Sequence, residues 1–375
     1  MALHITSAPV SVNFSRNPII FKVSTTKILG NDESMLRIVC RVKFEMGRGV
    51  VYSGDRAFED ELSQPVGNAG DALFNLSDLS ETLFIRLLPY DMASAESPMG
   101  IQCTCSFHET WVKDGYEVKG EATADQVFRV VPGQLTDYEL MVKKDFDLSS
   151  MIGNIVKMSR KPDMGIVYNG ETIVLPVLHN SDNACQSRLF INGEEVEYFT
   201  NMIYAYQTSL LYKSLNHSSD GELLFKWELN PDSLKGYYRA NSNGVHFLRF
   251  INGFGAVENI SVRVKDKLSY SSEGEEFSIV QDVSGKDFGR RYAKKSQPVG
   301  SYELSSGYVP RVWAEWYVQE LLTSPRVWIQ IDGRWVPALI ESEDECVIYD
   351  KTNPEMPHVD FTLKLAIDGV TGCTW

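Results

Sequence analysis

The chain has 375 residues, 43% of them hydrophobic and 23% charged, a composition of folded globular protein rather than of a disordered one. Its formal net charge of −14 repels nucleic acid and anionic membrane surfaces, so neither is expected as a partner. At roughly 150 residues per domain the length allows two to three domains, and six scattered cysteines lack the spacing of a disulfide framework.

The opening "MALHITSAPVSVNFSRNPII" (1–20) has neither the basic start nor the continuous apolar core of a cleaved signal. No run of about 18 apolar residues occurs later. The expectation is synthesis in the cytoplasm, without export by a cleaved signal and without membrane insertion. "SMLRIVCRVKFEM" (34–46) alternates Leu36, Ile38, Cys40, Val42 and Phe44 with Arg37, Arg41 and Lys43, the pattern of a half-buried strand. "NLSDLSETLFIRLL" (75–88) predicts a short helix, with Ser77 or Asp78 at its cap and Glu81 placed for a capping box. "MGIQCTCSFHETW" (99–111) predicts another strand. It puts Cys103 and Cys105 on one face with His108 nearby, too few ligands for a metal site. His108-Glu109 has no second histidine four residues after the first, so it is no zincin helix.

The strand pattern lapses after "DYELMVKKDFDLSS" (137–150), and a boundary is expected near 145–160. Asn169-Gly170, Asn192-Gly193 and Asp332-Gly333 each stand between apolar runs. Such pairs accept the two positive-φ positions of a type I′ turn, and all three are read as hairpins. "YFTNMIYAYQTSLLY" (198–212) reads as strand and core, with an aromatic binding face as the alternative. "GKDFGRRYAKKSQ" (285–297) gathers Lys286, Arg290, Arg291, Lys294 and Lys295 against Asp287. It is read as a solvated loop at a second boundary near 280–300, and a patch for an acidic neighbour is the alternative. "RVWAEWYVQELLTSP" (311–325) predicts the best helix, ending at Ser324-Pro325. The acidic run Glu341, Glu343, Asp344, Glu345 lacks the glycine of a calcium loop and is read as solvated.

"FLRFINGFGAVENI" (247–260) begins like a dinucleotide fingerprint, with a strand leading into Gly253-Phe254-Gly255. The third small residue is missing, because Glu258 stands there. Beyond it Ile260, Val262 and Val264 alternate with Ser261, Arg263 and Lys265, which makes a strand and not the helix a pyrophosphate needs. The segment is therefore strand–turn–strand, with glycines that let the chain reverse after Asn252. Neither a Walker A loop nor a G-x-S-x-G elbow occurs. The histidines, His4, His108, His179, His217, His246 and His358, are dispersed. No catalytic, cofactor-binding or metal-ligating residue is assigned, no cofactor is expected, and enzymatic activity is not expected. A glycan hydrolase on a β scaffold would need two carboxylates at a separation that sequence does not reveal.

The predicted fold is all-β, built of antiparallel β-sandwich or barrel modules with one or two short helices. The modules are an N-terminal sandwich over 1–150, a central β domain over 151–284, and a C-terminal β domain over 285–375 with its helix near 311–323.

Several segments resemble virion proteins of tailed phages and prophages of Bacteroides-like bacteria. In those proteins an apolar strand ends in an "I-N-x-x-G-G"-like turn, matched here by Ile251, Asn252, Gly253 and Gly255 with altered spacing. Asn17-Pro18 before Ile19-Ile20-Phe21 resembles their opening, and "ALFNLSDLSETL" (72–83) their "F-D-L-S" segment before a short helix. "LLTSPRVWIQIDGRWVPALIESE" (321–343) and "VDFTLKLAIDG" (359–369) look like their C-terminal region and closing strand. The resemblance implies a structural tail or baseplate-region component of the virion, similar to a distal tail protein. It would work through a homo-oligomeric ring and contacts with other virion proteins. A carbohydrate-binding or host-adhesion protein of a tail tip or cell surface is the alternative, with a glycan as its ligand.

Overall fold

The computed structural model describes residues 3–46, 57–67, 69–87, 100–137, 139, 156–178, 183–203, 208–214, 222–229, 232–239, 243–271, 274–279, 290–295, 299–341 and 357–366. The fold is all-β, with several sheets and, among the described residues, two short helices.

The first unit contains β1 (Leu3–Ser7), β2 (Val12–Phe14), β3 (Ile20–Thr25), β4 (Glu33–Met46), β5 (Ala57–Pro65), β6 (Asp71–Asn75), helix α1 (Ser77–Leu87), β7 (Ile101–Lys113), β8 (Tyr116–Lys119) and β9 (Gln126–Val131). One sheet runs β1-β3-β6; the other runs β2-β9-β7-β4-β5, with β8 on β7. The alternation read from sequence is the mechanism of the sandwich. Ile38, Cys40, Val42 and Phe44 of β4 and Cys103, Cys105 and Phe107 of β7 face Phe21, Val23 and Phe74 of the opposite sheet in one core. Helix α1 adds Phe84 to that core. Its start is held by Asn75, whose Oδ1 accepts from the Ser77 and Ile19 amides at 3.2 and 3.1 Å. Glu81 forms no capping box. It accepts from the Ser15 hydroxyl at 2.7 Å and pairs with Arg16 at 3.1 Å, tying the helix to the end of β2.

The second unit contains β10 (Val156–Lys157), β11 (Gly165–Tyr168), β12 (Thr172–Leu178), β13 (Asn183–Ile191), β14 (Glu194–Ile203), β15 (Thr208–Ser214), β16 (Glu222–Leu229) and β17 (Asp232–Arg239). Its sheets, β10-β12-β15 and β11-β17-β16-β13-β14, enclose Trp227, Phe225, Leu175 and Tyr238. Asn192 and Gly193 both have positive φ and join β13 to β14 as a hairpin. Asn169-Gly170 departs from expectation. Only Gly170 takes positive φ, and β11 and β12 belong to different sheets. β11 instead pairs in parallel with β17, so this turn is a crossing between sheets and not a hairpin.

The third unit contains β18 (Val245–Ile251), β19 (Val257–Ser271), β20 (Gly274–Ile279), β21 (Arg290–Lys295), β22 (Val299–Ser305), β23 (Val327–Ile331), β24 (Arg334–Glu341) and β25 (Asp360–Leu365). Six of them close a barrel in the order β18-β19-β22-β25-β24-β23. Helix α2 (Arg311–Trp316) passes directly into a π-helical turn, Tyr317–Leu321. Of Trp313, Trp316, Tyr317, Glu320 and Leu321, the residues that give the sequence its helical period, all but Glu320 pack into the barrel core. Asp332 and Gly333 take the two positive φ values of the hairpin expected there.

The barrel begins at Val245, so the stretch 285–297 lies between two barrel strands and is not the seam expected near 280–300. Part of that stretch is strand and not loop: β21 carries Arg290, Arg291, Lys294 and Lys295 and pairs with β20. Lys286 and Asp287 lie outside the described residues, as do Glu343, Asp344 and Glu345; Glu341 ends β24, 3.7 Å from Lys364. Within "YFTNMIYAYQTSLLY", Phe199 and Leu211 pack on the second core and Tyr198 is exposed, with 204–207 outside the described residues.

Candidate functional site at the junction of three β units

The turn between β18 and β19 is the point where all three units meet. Asn252 is buried and its side chain organises the turn around itself. Its Oδ1 accepts from the Phe254 and Ala256 amides at 3.0 and 2.9 Å. Its Nδ2 donates to the Met158 carbonyl of the second unit at 2.8 Å and to Glu258 Oε1 at 2.6 Å. An asparagine suits this place because one short amide offers both an acceptor and two donors. The Gly253 carbonyl accepts from the Gln134 amide at 2.9 Å, just past the last strand of the first unit. The Gly253 amide donates to Glu320 on the π turn.

Two glycines allow this approach. Gly133 has φ +110°, and a Cβ there would lie 2.3 Å from the Phe254 Cα. Gly255 has φ +69°, and a Cβ would lie 2.6 Å from Pro132. Phe254 and Ala256 enter an apolar cluster with Val12, Phe14, Val131 and Leu135 of the first unit and Met158 and Leu178 of the second. The glycines of the apparent fingerprint thus make room for neighbours, Gly253 for Arg160 and Glu320 and Gly255 for Pro132, while Gly133 lets the first unit's backbone approach that of Phe254.

Arg160 closes the junction. It reaches Glu320 at 2.6 Å, Glu139 at 2.7 Å and the Gln134 carbonyl at 2.9 Å, with its guanidinium 4.0 Å from the Phe254 ring centre. Burial opposes its charge, but the hydrogen bonds to Glu139 and Glu320 outweigh that and hold it above its ordinary pKa. Burial likewise works against the Glu139 anion, yet Arg160 and the Thr136 amide hold its carboxyl below the usual range.

Beside the junction two carboxyls are buried. Desolvation pushes Glu258 and Glu171 above the usual carboxylate range, against the pull of Lys161. Lys161 donates to the Asn259 carbonyl at 2.8 Å, and the Ser261 hydroxyl donates to Glu171 at 2.6 Å. The Asn259 side chain donates to the Thr172 carbonyl at 2.8 Å, binding β12 against β19. β12 is consequently buried over nearly all its length, which accounts for its uninterrupted apolar run.

A cavity of about 340 Å³ opens between the second unit and the barrel. Its walls come from β11, β17, β19 and the segment leading into α2. Gly165 lets Trp313 press on the β11 backbone, since a Cβ there would lie 2.3 Å from the indole. The indole N–H donates to the Asp163 carbonyl at 3.0 Å. Tyr168 and Tyr317 line the cavity, and burial raises the Tyr317 hydroxyl above its ordinary pKa. Lys161, Lys235, Arg239 and Arg263 also line it, and no aspartate or glutamate does among the described residues.

The other residues singled out in sequence are elsewhere. Cys103 and Cys105 are buried in the first core beside Cys40. His108 lies on the opposite face of β7, its pKa lowered chiefly by burial. Among the described residues no three histidine, cysteine, aspartate or glutamate side chains converge as metal ligands, and no helix is long and apolar enough to cross a membrane.

No protein-family model matches the chain, and no curated protein matches its sequence. Solved structures give distant likenesses. Trypsin-activated alpha-2-macroglobulin from Escherichia coli is 12% identical with a TM-score of 0.23, covering 81% of this chain but 22% of its own. The fibronectin(III)-like modules of Clostridium thermocellum CbhA are 10% identical with a TM-score of 0.15, over 64% of this chain and 94% of theirs. The I9–I11 tandem from titin is 10% identical with a TM-score of 0.17, over 97% and 89%. This chain therefore spans about a fifth of the macroglobulin's length.

Sequence reasoning finds neither the junction nor the cavity. It reads the turn as strand–turn–strand, as the structure has it, but the turn's partners lie far away along the chain. The one local sign is the coincidence of Asn252 and Glu258 within the otherwise apolar run 250–258.

Proposed function

We propose that this chain is a non-enzymatic structural component of a phage tail or related virion assembly. It is made in the host cytoplasm, incorporated in the virion, and acts through contacts with its own copies and with other virion proteins. The observation that carries this reading is the junction. Three β units are bonded to one another through a single buried turn, which suits a part that must hold its shape within a larger assembly. Open sheet edges add support. Among the described residues β5 and β14 end their sheets and are exposed over most of their lengths, so both can accept a further strand from a neighbour. A closed ring would use heterologous contacts of about 2,000 Å² or more.

The test is light scattering with electron microscopy of the purified chain, alone and co-expressed with the proteins encoded beside it. Rings, or stable association with those proteins, are expected. A chain that stays monomeric in both preparations refutes the proposal. Glycan binding at a tail tip is a second reading, favoured by Tyr308, 68% exposed beside the cavity. Glycan-array binding that disappears in Tyr308→Ala would support it over a purely structural role.

A further inference from the structure

We propose that the cavity between the second unit and the barrel binds an amphipathic carboxylate, an acid whose anionic head meets Arg263 and the Tyr168 hydroxyl and whose apolar body lies against Ile166, Pro310 and Trp313. The inference is independent of the assembly proposal and survives or fails separately.

Size and position come first. At about 340 Å³ the cavity falls in the range of small-ligand sites, roughly 300–1,000 Å³, which occur preferentially between domains. Its shape is fixed in advance, because Trp313 is held by its bond to Asp163 and by the close approach at Gly165. A preformed wall lowers the ordering cost of binding.

Charge selects the ligand. The chain as a whole carries −14, yet four cations and no carboxylate line this cavity among the described residues. Two of the four are already answered: Arg239 pairs with Glu222 at 2.9 Å, and Lys161 donates to the Asn259 carbonyl. Arg263 is exposed and donates to the Tyr168 hydroxyl at 3.3 Å, and it has no carboxylate partner among the described residues. A guanidinium beside a phenol offers N–H and O–H donors to the two oxygens of a carboxylate.

The remaining walls call for an apolar body. Met164, Ile166 and Tyr308 are 45%, 37% and 68% exposed around the opening. A free acid and an acidic–aromatic peptide segment of a partner share this chemistry, and their sources are separated by the test.

The intact protein is titrated calorimetrically with 1-naphthaleneacetate, with 2-(1-naphthyl)ethanol, with glucuronate and with N-acetyl-Asp-Phe-amide. The naphthyl acid is expected to bind at least about tenfold more tightly than the alcohol, which lacks the charge, and than glucuronate, which lacks the apolar body. Tighter binding of the peptide would assign the carboxylate to a partner chain, and tighter binding of the free acid to a small molecule; either upholds the site. Arg263→Gln should weaken the acid about tenfold while leaving the alcohol and the thermal midpoint unchanged. Tyr308→Ala should weaken acid and alcohol alike. Equal affinity for acid and alcohol, unchanged acid binding in Arg263→Gln, or no binding of acid or peptide at millimolar concentration would overturn the proposal.

Discussion

Replacing Gly133 by alanine tests whether the turn of the third unit really locks the first. Two effects act at this position. With φ +110° the backbone is in a region that side-chain-bearing residues avoid, at a cost of about 1–3 kcal/mol. The added methyl would also sit 2.3 Å from the Phe254 Cα and 2.4 Å from its carbonyl carbon, where carbon atoms prefer about 3.5–4.0 Å. Backbone cannot rotate aside as a side chain does, so relief requires the units to part, at a further cost of about 1–3 kcal/mol or more. Gly193 is the control, with φ +89° and nothing within 4 Å of a built Cβ. Gly193→Ala carries the conformational cost without the contact, and both variants share the loss of unfolded-chain freedom. Urea unfolding is monitored by tryptophan fluorescence and by far-ultraviolet circular dichroism. Gly133→Ala should lose at least about 1 kcal/mol more than Gly193→Ala, and its two signals should separate as the first unit uncouples from the barrel. Equal losses, with coincident signals, would refute the close approach as a source of coupling.

Asn252→Ala leaves the Phe254 and Ala256 amides without their buried acceptor and should cost about 2–4 kcal/mol in the same unfolding experiment; a loss under about 0.5 kcal/mol would deny the turn its organising role. Arg160→Met strands Glu320, whose side chain is 2% exposed, and should destabilise by about 3–5 kcal/mol, whereas adding Glu320→Gln should recover part of the loss, measurable as a double-mutant cycle. Glu258 is held above the usual carboxylate range by burial, so the folded chain keeps a proton that the unfolded chain releases. Stability should fall as pH rises from the ordinary value through the raised one, and Glu258→Gln should flatten that slope in a series of urea midpoints; an unchanged slope would contradict it. Cys103 is shielded by burial, and Cys105 by a thiol hydrogen bond with Cys40 and by burial, both held well above the usual thiol pKa. Neither should be labelled by iodoacetamide until the protein unfolds, as peptide mass spectrometry would establish.

Most of the strands are legible in the sequence because their residues answer to local rules. Alternation in β4 and β7 reports a face, and the two positive φ values at Asn192-Gly193 and Asp332-Gly333 report a hairpin. Asn169-Gly170 looks the same in sequence, but a turn pair says only that the chain reverses, not which strand its continuation will pair with. The boundary expected near 285 is absent for a related reason: barrel closure joins β18 and β19 to strands that come much later, and sheet membership is a long-range property. A dinucleotide site is excluded locally, because Glu258 and the strand after it suffice. What the turn does instead depends on Met158, Gln134 and Glu320, which no local pattern connects to it. The cavity likewise exists only between units, and its cations are scattered from Lys161 to Arg263.

The junction also implies an order of events during synthesis. Asn252 and Met158 are separated by 94 positions, and Arg160 and Glu320 by 160. The first sandwich has all its strands once residue 131 has emerged, and domains generally fold as they leave the ribosome. Its exit segment is held at Gly133 and Leu135 by Ser15, Arg16 and Asn17 of the same unit, but the Gln134 amide meets its acceptor only when the β18–β19 turn arrives, and Arg160 lacks its second carboxylate until the π turn is made. The nascent chain therefore carries a first module that still awaits its junction bonds through much of its translation, and the clasp shuts only when Glu320 has been made.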